Sequence, residues 1–294
     1  MTELRLAHLT DPHLPFGLPT DYEWLSKRGL SGLSWLRKRR EMHRREVAEA
    51  LRADLLAASP DVIAVTGDLV NFGLEREFRA ARRWLETLGQ PEHVLAIPGN
   101  HDALAGPWQR HMAHHWQGYT DGDARPFLRQ HGRVALIGVS TATVTPPLMA
   151  SGRVGAQAMA EVEALITAAR QSRHCPIVLM HHPPTPITSR RKGLADRTAM
   201  ARMLNRAGAA LVLHGHTHLR EMSFLDGADG KIPVLGLPSF SMAPGHHQPP
   251  GAWRMLEIAE DTGNWRLTMR ERGLDATSRI VERTPVRLTL PGAA

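Results

Sequence analysis

Five short polar clusters hold the residues of this 294-residue chain that could do chemistry: Asp11-Pro12-His13, Gly67-Asp68, Gly99-Asn100-His101-Asp102, His181-His182-Pro183 and Gly215-His216-Thr217-His218. Between them they offer two carboxylates placed for metal binding (Asp11 and Asp68), one amide oxygen and at least four imidazoles. A mixed oxygen and nitrogen set of this kind suits Mn, Fe, Zn or Co better than Ca or Mg. No cysteine stands among these residues, which argues against a closed structural zinc site. The donors also outnumber what one tetrahedral ion needs. A pair of divalent transition-metal ions, roughly 3.5–4 Å apart, accounts for the surplus.

Each cluster directly follows a short apolar run. Leu4 to Leu9 precedes Asp11, Val62 to Val65 precedes Asp68, and Val94 to Ile97 precedes Asn100. Ile177 to Met180 precedes His181, and Leu211 to Leu213 precedes His216. Runs of this length read as strands, and open α/β sheets place their sites outside the carboxyl ends of strands. Gly67 allows a tight backbone turn before Asp68. Taken singly, any cluster is an ordinary turn or a packed histidine; the ordered set of five points to a metal site. Between the strands, Val47, Leu51 and Leu55, then Phe78, Ala81, Leu85 and Leu88, then Met159, Val162, Ile166 and Ala169, form apolar stripes at helical spacing. Ser59-Pro60 ends the first of these helices and Gly89 the second. The alternation implies a layered α/β fold. After His218, the segments Val234–Leu237, Trp253–Ile258 and Trp265–Met269 read as successive strands separated by Gly and Pro turns.

The five clusters, in this order, resemble the fingerprint of the calcineurin-like metallophosphoesterases, and the resemblance runs from about Leu6 to His218. It implies a four-layer α/β/β/α sandwich of two mixed β-sheets flanked by helices. It also implies that Asp11, His13 and His218 hold one metal, that Asn100, His181 and His216 hold the other, and that Asp68 bridges the two. The ligand lies two residues before the proline in the family pattern, which selects His181 over His182. By the same resemblance His101 neutralises phosphoryl charge and protonates the leaving alkoxide, with Asp102 orienting it, while a hydroxide shared between the metals attacks phosphorus in line. Gly67-Asp68-Leu69-Val70 is similar to the bacterial phosphodiesterase branch, so hydrolysis of a phosphodiester is the first expectation. A pyrophosphatase acting on a lipid-linked nucleotide sugar of the UDP-diacylglucosamine type and a phosphomonoesterase are the alternatives, with a non-catalytic metal-binding scaffold as a minor one.

Residues 1–272 are expected to form the catalytic domain, with insertions at about 14–45 and 103–130, and residues 273–294 an extension that is either an edge strand or a tail. The first insertion interleaves Trp24, Leu25, Leu30, Leu33, Trp35 and Leu36 with Lys27, Arg28, Arg37, Lys38, Arg39, Arg40, Arg44 and Arg45. Two readings stand: a lid that packs its tryptophans on the body, or, through residues about 24–45, a contact with an anionic lipid or membrane surface. The second insertion carries Trp108, His111, His114, His115, Trp116 and Tyr119, either lining a substrate pocket or forming a cap held by its own packing. A net charge of +7 favours anionic partners. No helix-turn-helix or zinc-finger pattern occurs, so a small phosphoester rather than nucleic acid is the expected partner. With Asp11 already part of the site, no removable signal peptide is expected, and no apolar run approaches the ~20 residues that span a bilayer. Cys175 is the sole cysteine, which excludes an intrachain disulfide. A cytoplasmic protein, peripheral at the inner membrane face if the second reading of the first insertion holds, is the resulting expectation.

Overall fold

The computed structural model describes residues 4–20, 23–24, 26–122, 124–186 and 189–292. The chain begins with β1 (Leu4–Leu9), then passes through the first insertion: α1 (Lys27–Ser34), a π-helical turn over Trp35–Arg39 and the short turn α2 (Arg40–Met42). Next come α3 (Arg45–Ala57), β2 (Val62–Val65), α4 (Glu75–Leu88), β3 (Val94–Ala96) and α5 (Trp108–His115). The second half runs β4 (Phe127–His131), β5 (Val134–Val139), α6 (Ala156–Gln171), β6 (Cys175–Met180), α7 (Arg197–Ala207) and β7 (Leu211–His214). It closes with β8 (Glu221–Gly227), β9 (Gly230–Gly236), β10 (Ala252–Asp261), β11 (Asn264–Leu274), β12 (Ile280–Glu282) and β13 (Val286–Leu290).

Two mixed sheets result. The first has the order β12-β11-β10-β1-β2-β3, with β13 also paired to β11; β1, β2 and β3 are parallel and β10 is antiparallel to β1. The second has the order β4-β5-β6-β7-β9-β8, parallel from β5 to β9 and antiparallel at both edges. The central strands bury both faces, and their side chains alternate between two environments. Leu6, Ala64 and Leu256 meet Leu136, Ile177 and Leu213 between the sheets. On the outer face of the first sheet, Ala7, Ile63 and Val65 pack under Leu51, Leu55 and Phe78 of α3 and α4. On the outer face of the second, Val178 and Val212 pack under Val162, Ile166 and Leu204 of α6 and α7. The order of layers is therefore α/β/β/α.

The C-terminal stretch is part of this sandwich: Trp265 to Met269 of β11 pair with Leu290 to Val286 of β13, and Leu290 is buried. The domain break expected after residue 272 falls inside β11. In the second insertion the aromatic residues point inward. Trp108, Trp116 and Tyr119 are buried, Trp116 Nε1 donates to the Phe78 carbonyl and the Tyr119 hydroxyl to that of Gly89. None of the three lines the cavity over the strand ends, so the aromatic part of this segment is a cap held by its own packing, while Leu104 at its start reaches the cavity wall. In the first insertion Trp35 is buried, stacks on His43 with an interplanar angle of 10° and meets Phe72 edge-on. Its tryptophan packs as a lid would, while Leu25 lies outside the described residues.

Shortening Leu213, buried between the sheets, to alanine is expected to cost about 2–5 kcal/mol in urea unfolding. The same measurement on Val281→Ala, at an exposed position of β12, should stay within about 0.5 kcal/mol.

Candidate metal centre

The five clusters leave five strand ends: β1, β2 and β3 of the first sheet, and β6 and β7 of the second. Reaching one point from five strands bends the backbone hard. Asp11, His13, Asp68, His216 and His218 all have positive φ, between 42° and 70°, in a region that non-glycine residues rarely enter. Fixed hydrogen bonds hold these turns. The Asp11 and His13 N–H groups donate to the carbonyls of Gly67 and Asp68 (both 3.0 Å), and Ser239 Oγ donates to the Asp11 carbonyl (2.6 Å).

The side chains meet in overlapping groups. His13 Nε2 and His218 Nε2 lie 3.2 Å apart, and His218 Nε2 is 3.1 Å from Asp11 Oδ1. On the other side, Asn100 Oδ1 is 2.8 Å from His216 Nδ1 and 3.3 Å from His181 Nε2. Asp68 Oδ2 stands between the two groups, 3.7 Å from His13 Nε2 and 3.4 Å from His181 Nε2. Asp11, Asp68 and His181 each bring one ligand atom within 4.8 Å of the other two. All seven candidate ligands from the sequence are thus brought together, and the donor set fits a pair of divalent ions. His181 Nδ1–H donates to the Thr66 carbonyl (2.7 Å), which fixes the tautomer that leaves Nε2 free to ligate. His182 is committed elsewhere, Nδ1 to the Thr141 hydroxyl (2.7 Å) and Nε2 to the Ala150 carbonyl (3.0 Å).

Electrostatics sort the groups. Burial disfavours ionisation of Asp11 and Asp68, but the neighbouring His218 and His181 outweigh it and hold both carboxyls below their usual range. His13 and His216 are driven well below the ordinary histidine value by burial first and by cationic neighbours second, so they are neutral, as ligands must be. Burial also opposes the charged form of His181; the Asp68 carboxylate reverses this and pushes it up to about 9, so an ion binding at its Nε2 would displace a proton.

The structure reassigns the partner of His101. Asp102 is buried beneath the loop, where its carboxylate accepts from the N–H groups of Gly99 (2.7 Å), Asp68 (2.9 Å) and Val70 (3.0 Å). These bonds tie the Asp68 and Asn100 loops together and place no oxygen of Asp102 on the His101 ring. His101 Nδ1–H donates instead to the Asn71 carbonyl (2.9 Å). Asn71 is itself set by Glu77, whose carboxylate accepts from the N–H groups of Asn71, Phe72 and Leu74. Asp102 is therefore a scaffold for the loops, and Asn71 orients the ring.

Two further residues enter from the first insertion. His43 is buried, its ring centroid 4.5 Å from that of His13, and its Nδ1 meets the Ser241 hydroxyl at 3.0 Å. It forms a possible ligand group with His13 and His218. Arg39, from the π-helical turn, places Nη1 3.2 Å from His101 Nε2 and Nη2 3.1 Å from His13 Nδ1. Burial lowers its pKa to about 10, which leaves it cationic at neutral pH. His43 shares no spacing with the five clusters. Arg39 is one of four consecutive basic residues, and only the π-helical step decides which of them turns inward. Neither had a usable sequence signal. His247 lines the cavity over the site, and His246 instead meets the Glu41 carbonyl.

Comparison with known proteins agrees with this geometry. The family model for calcineurin-like phosphoesterases matches residues 4–220. The chain is 26% identical over 231 residues to a probable cyclic nucleotide phosphodiesterase of Synechococcus sp., covering 74% of this chain and 80% of that protein. A 50-residue stretch, 17% of either chain, is 46% identical to the glycerophosphodiester phosphodiesterase GpdQ of Enterobacter lignolyticus. Among solved structures, a dimetal phosphatase from Danio rerio superposes with a TM-score of 0.65 at 15% identity, covering 99% of both chains. A purple acid phosphatase from yellow lupin gives 0.62 at 11% identity, over 98% of this chain and 53% of that one. At these identities the two structures speak for the fold alone.

Elemental analysis of purified variants separates the candidate ligands from the candidate catalytic histidine. Asp68→Ala is expected to lose bound metal. His101→Ala should keep the wild-type metal content while turnover falls by about 10²–10⁴. Equal loss of metal in both variants would contradict the assignment of His101.

Proposed function

Because the chain belongs to the calcineurin-like phosphoesterase family and is a metal-dependent phosphoric ester hydrolase, we propose that it hydrolyses phosphodiesters. The observation that carries this reading is a cavity of about 740 Å³ that opens directly over Asp68, Asn100, His101, His216 and His218. A diester must place a substituent on each side of the phosphorus, and this space accommodates both. Leu30, Leu104 and Met149 provide apolar wall, and Lys38 and Lys192 add cations. The relative named as a probable cyclic nucleotide phosphodiesterase supports the same choice.

Two divalent ions, when bound, would lower the pKa of a shared water and offset charge on the phosphoryl oxygens. Asp11, His13 and His218 would hold one, Asn100, His181 and His216 the other, and Asp68 both, with His43 beside the first group. The guanidinium of Arg39 faces the same space and is placed to receive a non-bridging phosphate oxygen. His101 exchanges the proton of the leaving alkoxide through Nε2, since Nδ1 is committed to Asn71. Burial and then the charge of Arg39 push His101 down to about 4, so in the free protein it is neutral. A bound phosphate engages Arg39 and adds negative charge beside the ring; both effects raise its pKa toward the donor form. Leu30 and Leu148 at the cavity favour, as second reading, a pyrophosphatase acting on a lipid-linked nucleotide sugar.

The test is hydrolysis of bis-p-nitrophenyl phosphate against p-nitrophenyl phosphate after loading with Mn, Fe, Zn or Co. Diester turnover should exceed monoester turnover and vanish with chelator, in Asp68→Ala and in Asn100→Ala. Arg39→Gln should retain metal and lower kcat by about 10²–10³. Turnover of the monoester alone would replace this reading with a phosphomonoesterase, and turnover only of a nucleotide diphosphate sugar with the pyrophosphatase.

A further inference from the structure

A surface helix ordinarily turns its apolar stripe toward the core. α1 does the reverse. Gly29 and Gly32 are its buried residues, and Leu30 and Leu33 stand 49% and 46% exposed. The helix cannot rotate to bury them, because Trp24 fills the space behind the glycines. A Cβ on Gly29 would meet the Trp24 carbonyl oxygen at 2.2 Å, and one on Gly32 would meet the Trp24 ring at 2.6 Å. A second segment extends the same rim. Lys27 Nζ donates to Thr145 Oγ1 (2.6 Å) and to the Met149 carbonyl (2.9 Å), tying α1 to residues 144–149, where Val144 is 52% and Leu148 82% exposed. Single exposed leucines are normal on soluble proteins. Four large apolar side chains on two segments pinned together at the mouth of a cavity are a patch.

The surroundings of the patch are cationic. Arg37, Lys38 and Arg40 are exposed just beyond α1, and no acidic residue occurs between Trp24 and Arg40. Arg190, Arg191 and Lys192 are exposed on the segment whose Arg191 carbonyl accepts from Ala150 N–H (2.9 Å). Apolar side chains framed by cations match the boundary of an anionic bilayer, where acyl chains take the leucines and headgroup phosphates take the basic residues.

We propose that α1 and residues 144–149 dock the protein on an anionic membrane surface, with the mouth of the cavity facing the lipid. Among the described residues no helix is long and apolar enough to cross a membrane, so the contact is peripheral. The proposal does not depend on which phosphoester is cleaved.

It is tested by co-sedimentation of the full chain with vesicles of phosphatidylcholine alone and of phosphatidylcholine with phosphatidylglycerol. Binding is expected only to the vesicles containing phosphatidylglycerol, and it should weaken as salt rises. Leu33→Glu combined with Val144→Glu, at two positions that do not line the cavity, should weaken binding by about tenfold or more. Its thermal midpoint and its turnover of a soluble diester should stay at wild-type values. Arg37→Glu with Arg40→Glu should weaken binding similarly. Absence of binding by the wild type, or undiminished binding by both double variants, would overturn the proposal. So would self-association without vesicles that Leu33→Glu with Val144→Glu abolishes, since a second copy would then cover the face.

Discussion

The structure depends on holding two ionised carboxylates, Asp11 and Asp68, and a ring of imidazoles at one buried point. Isolated buried charge is costly, and it is tolerated only where partners and hydrogen bonds surround it. The chain meets that constraint by drawing residues from five strand ends across two sheets. No single loop could present seven donors around one spot without some of them facing away. The positive φ values of Asp11, His13, Asp68, His216 and His218 are the local cost of that convergence. The Asp68 N–H donating to Asp102, Ser239 Oγ donating to the Asp11 carbonyl and His181 Nδ1 donating to the Thr66 carbonyl hold it in place.

The first insertion serves the same point from outside the sandwich. Trp35, edge-on to Phe72, anchors it to the body, and the π-helical turn that starts at Trp35 brings Arg39 over His13 and His101. A cation there adds to burial in lowering the pKa of the neighbouring His101, and under the proposed function it faces the negative charge of the substrate. The outer face of the same insertion carries leucines that the packing of Trp24 keeps from turning inward. One short segment thus joins the chemistry of the site to the surface that surrounds its mouth.

Much of this was legible in the amino-acid sequence, for a physical reason. Candidate ligands at strand ends follow apolar runs immediately, so Asp11, Asp68, Asn100, His181 and His216 each announce themselves by position as well as type. The layered fold follows from the alternation of those runs with helical stripes. What was hidden depends on contacts that sequence spacing does not encode. Asp102 looks like a partner for His101 because it is next in the chain, yet adjacent residues on a tight turn point apart, and Asn71, thirty positions away, supplies the acceptor. His43 reaches the site only because the insertion folds back. The edge strand β13 was ambiguous because Val286 to Leu290 is polar on one side and its pairing with β11 is non-local.

The central claim is that Asp68 sits between two bound metal ions. Anomalous diffraction from crystals of the manganese-loaded protein tests it most directly. Two peaks roughly 3.5–4 Å apart, with the Asp68 carboxylate touching both, are expected. A single peak, or two peaks with Asp68 bound to only one, would contradict the account.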